Sequence, residues 1–505
     1  MKTRSAETIV FAGSALIFAL ILAAILYLTG GHFAYILDDT YIYLALAENL
    51  PFNYSVNAPG AEAGAASSSI IYPYLLMPLA RTPLALFAPL LVSLVGAVLV
   101  LLLLLDLERK VLPLPDASPL TRGLLVLGFA VLINMFGLIF TGMEHTLHMA
   151  SALAVLSGLL DLCEGRKPRW WFWLAVFAGP LIRYEALALS LPALAYAVSC
   201  GYIKRSLCVG ALMLGATIVF SFYLVSLGYG WLPSSVLTKS MPLATVSEGM
   251  SSFTTLQALF FNFLLNFKEP TAWMHAILLL VLMSLLPKCR QRGLLVVVVL
   301  AGMGHMLLGK FGWAGRYHAY VLAVMVLAIF YLARGRIKPS TLIELAILVG
   351  STGLYYTAIT PISAYNVYRY HDTLNNFVVN YWQDDIAAFD IGYLAWRNPH
   401  AVVDLFGLAS ERIRRIVHKP DAAVVIPQLL ADEKIDLIIA ERKLEAYYSR
   451  PEWRLAGEMQ LDGQLWVTGL NPRFYLTNPQ RVQELRSKLE ALRPHLPAGV
   501  TLKVY

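Results

Sequence analysis

The chain has 505 residues, of which 58% are hydrophobic and only 14% are charged, with a net charge of +7. A soluble domain of this length could not bury that much apolar surface, so a membrane must act as its solvent. The Lys and Arg residues stand in short clusters between apolar runs, which is typical of cytoplasmic loops and argues against a nucleic-acid groove.

Eleven apolar segments are predicted to span the membrane. The first is residues 9–28, and its length of about 20 residues is sufficient for a span. No small-x-small cleavage site follows it, so we predict a retained helix and no cleaved signal peptide. The other predicted spans are 84–105, 123–141, 147–163, 171–183, 186–200, 206–230, 271–287, 294–308, 319–333 and 341–359.

The loops between these spans differ in charge. Alternate loops hold sixteen Lys and Arg residues, whereas the opposite loops up to residue 359 hold six. The positive-inside rule therefore predicts a cytoplasmic N-terminus and an external C-terminus. All four cysteines lie at or near predicted cytoplasmic helix ends: Cys163, Cys200, Cys208 and Cys289. The external C-terminal segment must then fold without disulfides.

The composition changes after residue 359. Charges become frequent, and short β-like runs appear, namely "HAVVDLFGLA", "KIDLIIAE" and "QLWVTGL". A helical stretch, "PQRVQELRSKLEALR", follows them. We predict a transmembrane domain over residues 1–359 and a small extracytoplasmic α/β domain over residues 360–505.

Polar residues gather in the external loops, although the spans between them carry few charges. The first loop places Asp38 and Asp39 together, directly after an apolar stretch. Later external turns add Glu144, His145 and His148, then Arg183 and Glu185, then Lys239, and then Arg316 and Tyr317.

The turn "PLIRYEA" has an unusual position. Only about a dozen apolar residues precede Arg183, too few to cross about 30 Å of hydrocarbon. Arg183 and Glu185 are therefore predicted to lie below the membrane surface, in a cavity lined by protein. Ionisable residues at this depth are functional candidates. The alternative is a structural Arg–Glu pair that holds a hairpin.

Six short motifs on the outer face occur in the same order as in a known family. "LDDTYIYLALAENL" resembles the first external loop of GT-C polyprenyl-phosphate-sugar glycosyltransferases, above all the branch of the mycobacterial arabinofuranosyltransferases. "TGMEHTLH", "RYEA", "LPSSVLTKS", "GWAGRYHAY" and "AFDIGYLAW…AVVDLFGLA" are similar to later motifs of that branch. Ser234 and Ser235 replace the usual Asn-Thr, and the loop after Gly60 lacks the usual Tyr-Thr-Asn, which leaves the sugar specificity open.

The resemblance implies an enzyme that transfers a sugar from a lipid phosphate to an acceptor hydroxyl. Such a transfer needs a carboxylate that takes the hydroxyl proton, and the resemblance assigns this role to Asp38 or Asp39. The alternative is an acidic N-cap of the helix "TYIYLALAEN". Adjacent residues point apart at a helix start, so the two roles should differ, and Asp38 is slightly favoured as the base.

The leaving phosphate of such a reaction needs a cation. Arg316 with Tyr317 is the first candidate, because a guanidinium grips two phosphate oxygens at once. The alternative for Arg316 is an interfacial anchor that snorkels. Lys239 is the second candidate. Asp390, in "FDIGYLAW", is expected near the mouth of the active site or in an ordinary turn of the external domain.

The stretch "EHTLH" also permits a metal interpretation. Glu144, His145 and His148 are one and three residues apart on a predicted helix, which is a weak pattern and differs from H-E-x-x-H. We expect Glu144 to orient the acceptor or Arg183 instead. No cofactor is certain, and a divalent metal stays possible because the wider fold varies in metal dependence.

These features predict a polytopic GT-C-like enzyme of the bacterial inner membrane with a polyprenyl-phosphate-linked sugar as its donor. The acceptor is an extracytoplasmic glycan or glycoprotein, and the sugar is a hexose or a pentose such as arabinofuranose. The alternative is a transporter or flippase of lipid-linked saccharides. The ionisable residues crowd one side of the membrane, which argues against a pathway across it.

Overall fold

The computed structural model describes residues 2–51, 53–58, 63–112, 116–286, 290–334, 338–417, 419, 421–441, 453–463 and 471–505. Within these residues, helices dominate up to residue 382. They are α1 (Lys2–Leu28), α2 (Asp39–Asn49), α3 (Tyr72–Ala80), α4 (Ala88–Val111), α5 (Pro119–Leu132), α6 (Met135–Phe140), α7 (His145–Cys163), α8 (Trp170–Ile182), α9 (Leu187–Ser199), α10 (Ile203–Ser226), α11 (Ser234–Lys239), α12 (Met241–Ser247), α13 (Ser252–Asn266), α14 (Pro270–Leu285), α15 (Arg292–Leu308), α16 (Ala319–Ala333), α17 (Pro339–Val367) and α18 (Thr373–Asn376).

Five helices of the described part are long and apolar enough to cross a membrane: Ser5–Leu28, Ala85–Val111, His145–Cys163, Ile203–Ser226 and Ser340–Trp382. The chain is therefore a multi-pass membrane protein. The other six predicted spans fall on shorter helices, α5 with α6, α8, α9, α14, α15 and α16. The total of eleven spans stays a prediction.

The predicted span 123–141 is two helices in the structure. Helix α5 ends at Leu132, and α6 begins at Met135 after Asn134, whose backbone is left-handed with φ 60°. Asn is one of the few side chains that adopt this conformation readily. Asn134 Nδ2 donates a hydrogen bond of 2.6 Å to the carbonyl of Ala314. The break thus anchors the loop that precedes α16.

The helix of the last predicted span is much longer than its apolar part. It continues from α17 through a π-helical turn at Tyr368–Asp372, then through α18 and a second π-helical turn at Phe377–Trp382. The predicted domain boundary at residues 359 and 360 therefore falls inside one helical rod. The polar and aromatic residues beyond 359 end the hydropathy signal, although the backbone stays helical.

Within the described residues, a mixed sheet of six strands follows this rod. The strands are β1 (Ile386–Ala388), β2 (Val402–Asp404), β3 (Leu437–Glu441), β4 (Arg454–Leu461), β5 (Pro472–Leu476) and β6 (Val500–Val504), in the order β2-β1-β3-β5-β4-β6. Strand β1 is parallel to β2 and β3, and the remaining pairs are antiparallel. The helices among the strands are α19 (Gly392–Ala395), α20 (Glu411–Ile416), α21 (Ala422–Asp432) and α22 (Val482–Leu492).

The prediction of a C-terminal α/β segment is confirmed. The runs "HAVVDLFGLA" and "KIDLIIAE" contain β2 and β3, and the predicted helix corresponds to α22. The run "QLWVTGL" lies outside the described residues. Because parallel strands end at a common edge, the carboxyl ends of β1, β2 and β3 bring Asp390, Asp404 and Glu441 to one side of the sheet.

Helix α2 joins the membrane helices to this sheet. Its residues from Thr40 to Ala47 are all buried. The Tyr41 ring packs against the rings of Tyr393, with centroids 3.9 Å apart, and Trp396, with centroids 5.5 Å apart. One apolar core therefore runs from the membrane helices into the α/β segment, and the residues just before α2 are held at the junction.

Candidate active site

Asp38 lies at this junction, in the N-cap position of α2. Its carboxylate makes no hydrogen bond to its own helix. Instead, Oδ2 accepts a hydrogen bond of 2.7 Å from the backbone N–H of Gly392, and Oδ1 accepts one of 2.8 Å from that of Tyr393. These groups belong to the unpaired donors at the start of α19. Asp38 thus caps α19, and it does not cap α2 as the structural alternative required.

Asp39 points to the cations of two other loops. Its Oδ2 accepts a charge-assisted hydrogen bond of 2.5 Å from Nη2 of Arg316. Nζ of Lys239 lies 3.9 Å from the same oxygen. Adjacent carboxylates therefore have different partners, as predicted for two residues at a helix start: Asp38 is bonded to backbone, and Asp39 is bonded to cations.

These surroundings separate the pKa values of the two acids. Burial raises the pKa of Asp38 to about 7, although the hydrogen bonds from Tyr393 and Gly392 act against this increase. Burial would also raise the pKa of Asp39, but the charges of Arg316 and Lys239 outweigh it and lower the pKa to about 2. At neutral pH, Asp38 is the carboxyl that can both take and release a proton.

Arg316 lies in the loop that Asn134 anchors. Only 4% of the residue is exposed, so it does not snorkel to the membrane surface. Its Nη2 also donates to the Tyr317 hydroxyl at 2.9 Å, and its Nη1 contacts Sδ of Met143 at 2.9 Å. The guanidinium is therefore fixed on three sides, with its ion pair to Asp39 at the open end.

Glu144, Arg183 and Glu185 form a second ionic unit beside the first. Arg183 donates to both oxygens of Glu185, at 2.6 and 3.2 Å, and to Oε1 of Glu144. Tyr43 donates to the same Glu144 oxygen at 3.0 Å, while Oε2 of Glu144 is buried without a hydrogen-bond partner among the described residues. The unit is compatible with both predicted roles, a structural pair and a polar wall of the site.

The two ionic units meet at Tyr317. Cζ of Arg183 lies 5.6 Å from the centre of the Tyr317 ring, and Cζ of Arg316 lies 4.8 Å from it. A ring between two guanidinium groups reduces their mutual repulsion through cation–π attraction. Tyr317 therefore holds both arginines in place.

The histidines of "EHTLH" do not converge with Glu144 as metal ligands. His148 stacks on Tyr320 with ring centroids 4.0 Å apart, and His145 lies edge-on to Tyr317. Within the described ranges, no group of three or more His, Cys, Asp or Glu side chains is arranged to hold a metal ion. The residues of this stretch do not fit a metal centre in this geometry.

Lys239 ends the short helix α11, which is clamped on both sides. Ser234 donates to Oε2 of Glu411 at 3.0 Å, and Thr238 donates to the carbonyl of Gly407 at 3.1 Å. On the other side, Ser68, between α2 and α3, donates to Ser235 at 3.3 Å. The two serines that replace the usual Asn-Thr therefore bind protein groups, and they hold α11 between the first loop and the α/β segment.

Asp390 follows β1 and lies near a histidine that the sequence did not single out. Burial raises the pKa of Asp390 to about 7, His371 lowers it, and the charges of Asp38, Glu441 and Asp39 raise it further. Nδ1 of His371 lies 3.3 Å from Oδ1 of Asp38. The structure thus brings Asp390 to the site side of the sheet. In the sequence, His371 was one residue of an aromatic-rich stretch, without a spacing that indicated a function.

Comparison with known proteins gives a partial match and several similar folds. A family profile described as a domain of unknown function, DUF8728, matches residues 362–482. A search of curated proteins finds no match.

Three solved structures illustrate the similarity of fold. The oligosaccharyltransferase AglB from Archaeoglobus fulgidus, in complex with an inhibitory peptide and a dolichol-phosphate, is 10% identical, with a TM-score of 0.44 over 92% of this chain and 74% of AglB. ArnT from Cupriavidus metallidurans, bound to undecaprenyl phosphate, is 12% identical, with a TM-score of 0.44 over 93% and 98% of the two chains. The mycobacterial arabinofuranosyltransferase AftD is 14% identical, with a TM-score of 0.41 over 92% of this chain and 41% of AftD.

A mycobacterial arabinofuranosyltransferase, from the branch that the motifs resemble, is thus among the similar structures. The chain spans less than half of AftD. With identities below 25% and TM-scores below 0.5, these similarities assign neither an activity nor a residue role to the chain.

Proposed function

We propose that this chain is an integral membrane glycosyltransferase that transfers a sugar from a polyprenyl-phosphate donor to an extracytoplasmic glycan or glycoprotein. One observation carries the proposal. Two adjacent carboxylates differ in pKa, and two cations from distant loops lie within 3.9 Å of one of them, Asp39, at the junction of apolar helices and an α/β segment. Glycosyl transfer from a lipid phosphate needs these groups: a base for the acceptor and cations for the leaving phosphate.

Asp38 is the proposed base. It takes the proton of the acceptor hydroxyl while the acceptor oxygen forms a bond to the anomeric carbon of the sugar. The bond between that carbon and the phosphate oxygen breaks, and the phosphate leaves with the electron pair. The two backbone hydrogen bonds fix the direction of the Asp38 carboxylate, so that its remaining lone pairs face the acceptor.

Arg316 and Lys239 are the proposed partners of the donor phosphate. In this structure both cations face one oxygen of Asp39. A donor phosphate carries comparable charge and would replace this oxygen as their partner, with Tyr317 keeping Arg316 in place. Asp39 then acts as the group that holds the two cations in position before the donor binds.

The remaining parts of the proposal concern the sugar and the membrane. The sugar is a pentose such as arabinofuranose or a hexose, and Glu144, Arg183 and Glu185 form a polar wall beside it. The chain spans a bacterial inner membrane eleven times, with residues 1–359 as the membrane unit and residues 360–505 as a periplasmic unit.

A direct assay tests the function. The purified protein in lipid nanodiscs would be given a polyprenyl-phosphate sugar labelled in the sugar, together with cell-envelope glycans as acceptors. We expect labelled glycan and free polyprenyl phosphate in equal amounts. Movement of the intact donor across the bilayer without release of polyprenyl phosphate would instead indicate a flippase.

The pH dependence of transfer should report the ionisation of Asp38. A carboxyl acts as a base only in its ionised form, and the pKa of Asp38 is raised to about 7. The rate should therefore rise with pH through about 7 and level off above it. Asp39, with a pKa of about 2, is ionised throughout and would produce no such limb. Initial rates measured from about pH 5 to about pH 9 check this, and a rate that has already levelled off by about pH 6, as an Asp with its ordinary pKa of about 4 would give, would contradict it.

The proposed orientation can be tested by cysteine labelling. In a variant that retains only Cys200, which is exposed between α9 and α10, we expect labelling from the cytoplasmic side alone. A cysteine in place of the exposed Ser487 on α22 should be labelled from outside. Ser67 and Ser410 are fully buried and would resist labelling from either side, and Cys289 lies outside the described residues. The reverse pattern would invert the orientation.

A further inference from the structure

We infer that Trp313 binds the isoprenoid chain of the donor, at the units next to the phosphate that Arg316 is proposed to hold. The inference rests on the proposed function and deepens it, because it assigns a residue to the lipid part of the substrate. Trp313 acts in binding alone and takes no part in the transfer of the sugar.

The backbone of the turn before Arg316 is the first support. Its four successive residues, Gly312, Trp313, Ala314 and Gly315, have φ values of 81°, 45°, 63° and 67°. Glycine adopts this left-handed backbone easily, whereas a bulky side chain makes it unfavourable. Of the seven non-glycine residues with positive φ in the described part of the chain, Trp313 is the only aromatic one. Glycine would suit the backbone of this position better, so the reason for a tryptophan lies in its side chain.

Neighbouring groups fix the turn in this conformation, in addition to the hydrogen bond from Asn134. A methyl group on Gly312 would lie 2.8 Å from the carboxylate of Glu269, and one on Gly315 would lie 2.6 Å from the ring of Tyr356. The two glycines are therefore packed closely on both sides, and the tryptophan between them has no alternative backbone conformation. Strained residues fixed in this way are frequent at sites that bind ligands.

The side chain of Trp313 points outward from the turn. More than half of the residue, 53%, is exposed, so packing in the core does not account for it. A large apolar side chain that a strained turn holds at the surface is available to a partner outside the chain.

The surroundings of Trp313 favour a lipid as this partner over a glycan. The turn lies between the start of α14 and the middle of α17, and both helices present apolar side chains outward at this level. Trp273 of α14 and Leu354 and Tyr355 of α17 are exposed. Exposed apolar side chains on the helices of a membrane protein face lipid chains, and tryptophan favours the boundary between hydrocarbon and polar groups. A lipid whose phosphate is bound at this boundary fits the arrangement.

The turn also brings the ring close to the proposed phosphate site. The backbone N–H of Arg316 donates to the carbonyl of Trp313 at 3.4 Å, so these residues are the two ends of a four-residue turn, with Cα atoms within about 7 Å. Arg316 directs its guanidinium to Asp39, where the donor phosphate is proposed to bind. The first isoprene units are covalently joined to that phosphate and therefore begin within reach of the indole. Contact between them would remove apolar surface of both from water.

The test measures binding of undecaprenyl phosphate to variants of the whole chain in lipid nanodiscs. Trp313→Ala and Trp313→Gly should each weaken binding about 10-fold, because they remove the apolar ring, and Trp313→Phe should retain most of the affinity. Trp313→Gly should also unfold at the wild-type temperature or above it, since glycine accepts the left-handed backbone without strain. A loss of affinity without a loss of stability separates a role in binding from a role in folding.

Trp170→Ala is the matched control. Trp170 is another exposed tryptophan, and it begins α8 at the end remote from Arg183. It can anchor the chain at a membrane boundary, but it lies away from the proposed site. This variant should bind undecaprenyl phosphate like the wild type. An equal loss of affinity in Trp170→Ala, or wild-type affinity in Trp313→Ala and Trp313→Gly, would overturn the inference.

A photoreactive probe tests the contact itself. A polyprenyl phosphate with a diazirine in the isoprene unit next to the phosphate should label the turn that contains Trp313, as mapped by mass spectrometry. An excess of undecaprenyl phosphate should remove this label, and an excess of phosphatidylglycerol should leave it. Equal competition by both lipids, or labelling at other positions alone, would contradict the inference and indicate general contact with the bilayer.

Sugar transfer measured on the same preparations separates this inference from the proposed function. If the wild type transferred sugar and the Trp313 variants had its kcat/KM for the donor, this inference alone would fail. If the wild type transferred no sugar from any polyprenyl-phosphate donor, the proposed function would fail, and this inference with it.

Discussion

Replacing Asp38 by Asn is expected to slow sugar transfer by about 10²–10⁴-fold while donor binding is retained. Asn has nearly the shape of Asp but cannot take a proton. It would keep one of the two hydrogen bonds to α19, the one that its side-chain oxygen accepts. The second would be lost, because the NH2 group of Asn and the backbone N–H that it faces are both donors. The lost hydrogen bond should lower stability by about 1–3 kcal/mol, so kcat and thermal unfolding have to be measured on the same preparations.

Asp372→Asn is a suitable control for this change. Oδ1 of Asp372 accepts a hydrogen bond of 2.6 Å from the Tyr393 hydroxyl, so the control removes an equal charge next to the same segment without touching Asp38. It should transfer sugar at the wild-type rate. Asp39→Asn should show a mixed effect, since Arg316 and Lys239 would lose their anionic partner. If neither the Asp38 nor the Asp39 variant were impaired, the base would lie elsewhere, with Glu144 and Glu185 as the next candidates.

Arg316→Ala is expected to remove most of the activity and to weaken donor binding. A charge-assisted contact to the leaving phosphate contributes about 2–4 kcal/mol, which corresponds to a loss of about 30- to 1,000-fold in kcat/KM. Lys at this position should retain part of the activity, because it supplies the charge without the two-point grip. The change would also leave Asp39 with only Lys239, at 3.9 Å. Binding of undecaprenyl phosphate and kcat/KM would be measured for both variants.

Arg397→Ala provides the comparison for this prediction. Arg397 is an exposed arginine in the same junction region, and its Nε lies 3.6 Å from Glu48. An exposed ion pair contributes little to stability, so this variant should bind the lipid phosphate and turn over normally. A wild-type kcat/KM in Arg316→Ala would leave Arg316 as a structural partner of Asp39.

The helical part of the fold was predictable because lipid imposes a simple condition on sequence. Backbone groups in hydrocarbon must be paired internally, so a long apolar run predicts a helix. The predicted span 319–333 coincides with α16. The same signal ends at residue 359, where polar and aromatic residues become frequent, although the helix continues to Trp382. It also misses a break inside an apolar run, where one left-handed residue, Asn134, ends α5.

The charged residues of the candidate site could be predicted from the sequence. The proposed sugar transfer requires a base for the acceptor and cations for the leaving phosphate, and the sequence offers few of either on the face predicted to be external. Arg316, Lys239 and Asp39 do meet in the structure. The contacts of Asp38 were not predictable, because they are made by main-chain N–H groups more than 350 residues away. Every residue except proline carries such a group, so no residue type indicates which one is used.

The two main-chain groups that hold Asp38 affect how mutagenesis would map this region. An alanine scan replaces side chains, and the N–H of Tyr393 would survive it unchanged. Gly392 is the exception: a single methyl group there would collide with the carbonyl oxygen of Asp38 and lie 2.8 Å from its Oδ2. The substitution Gly392→Ala would therefore displace the acid without altering any functional group. In a scan of this stretch, the residue with no side chain should be the one that cannot be changed.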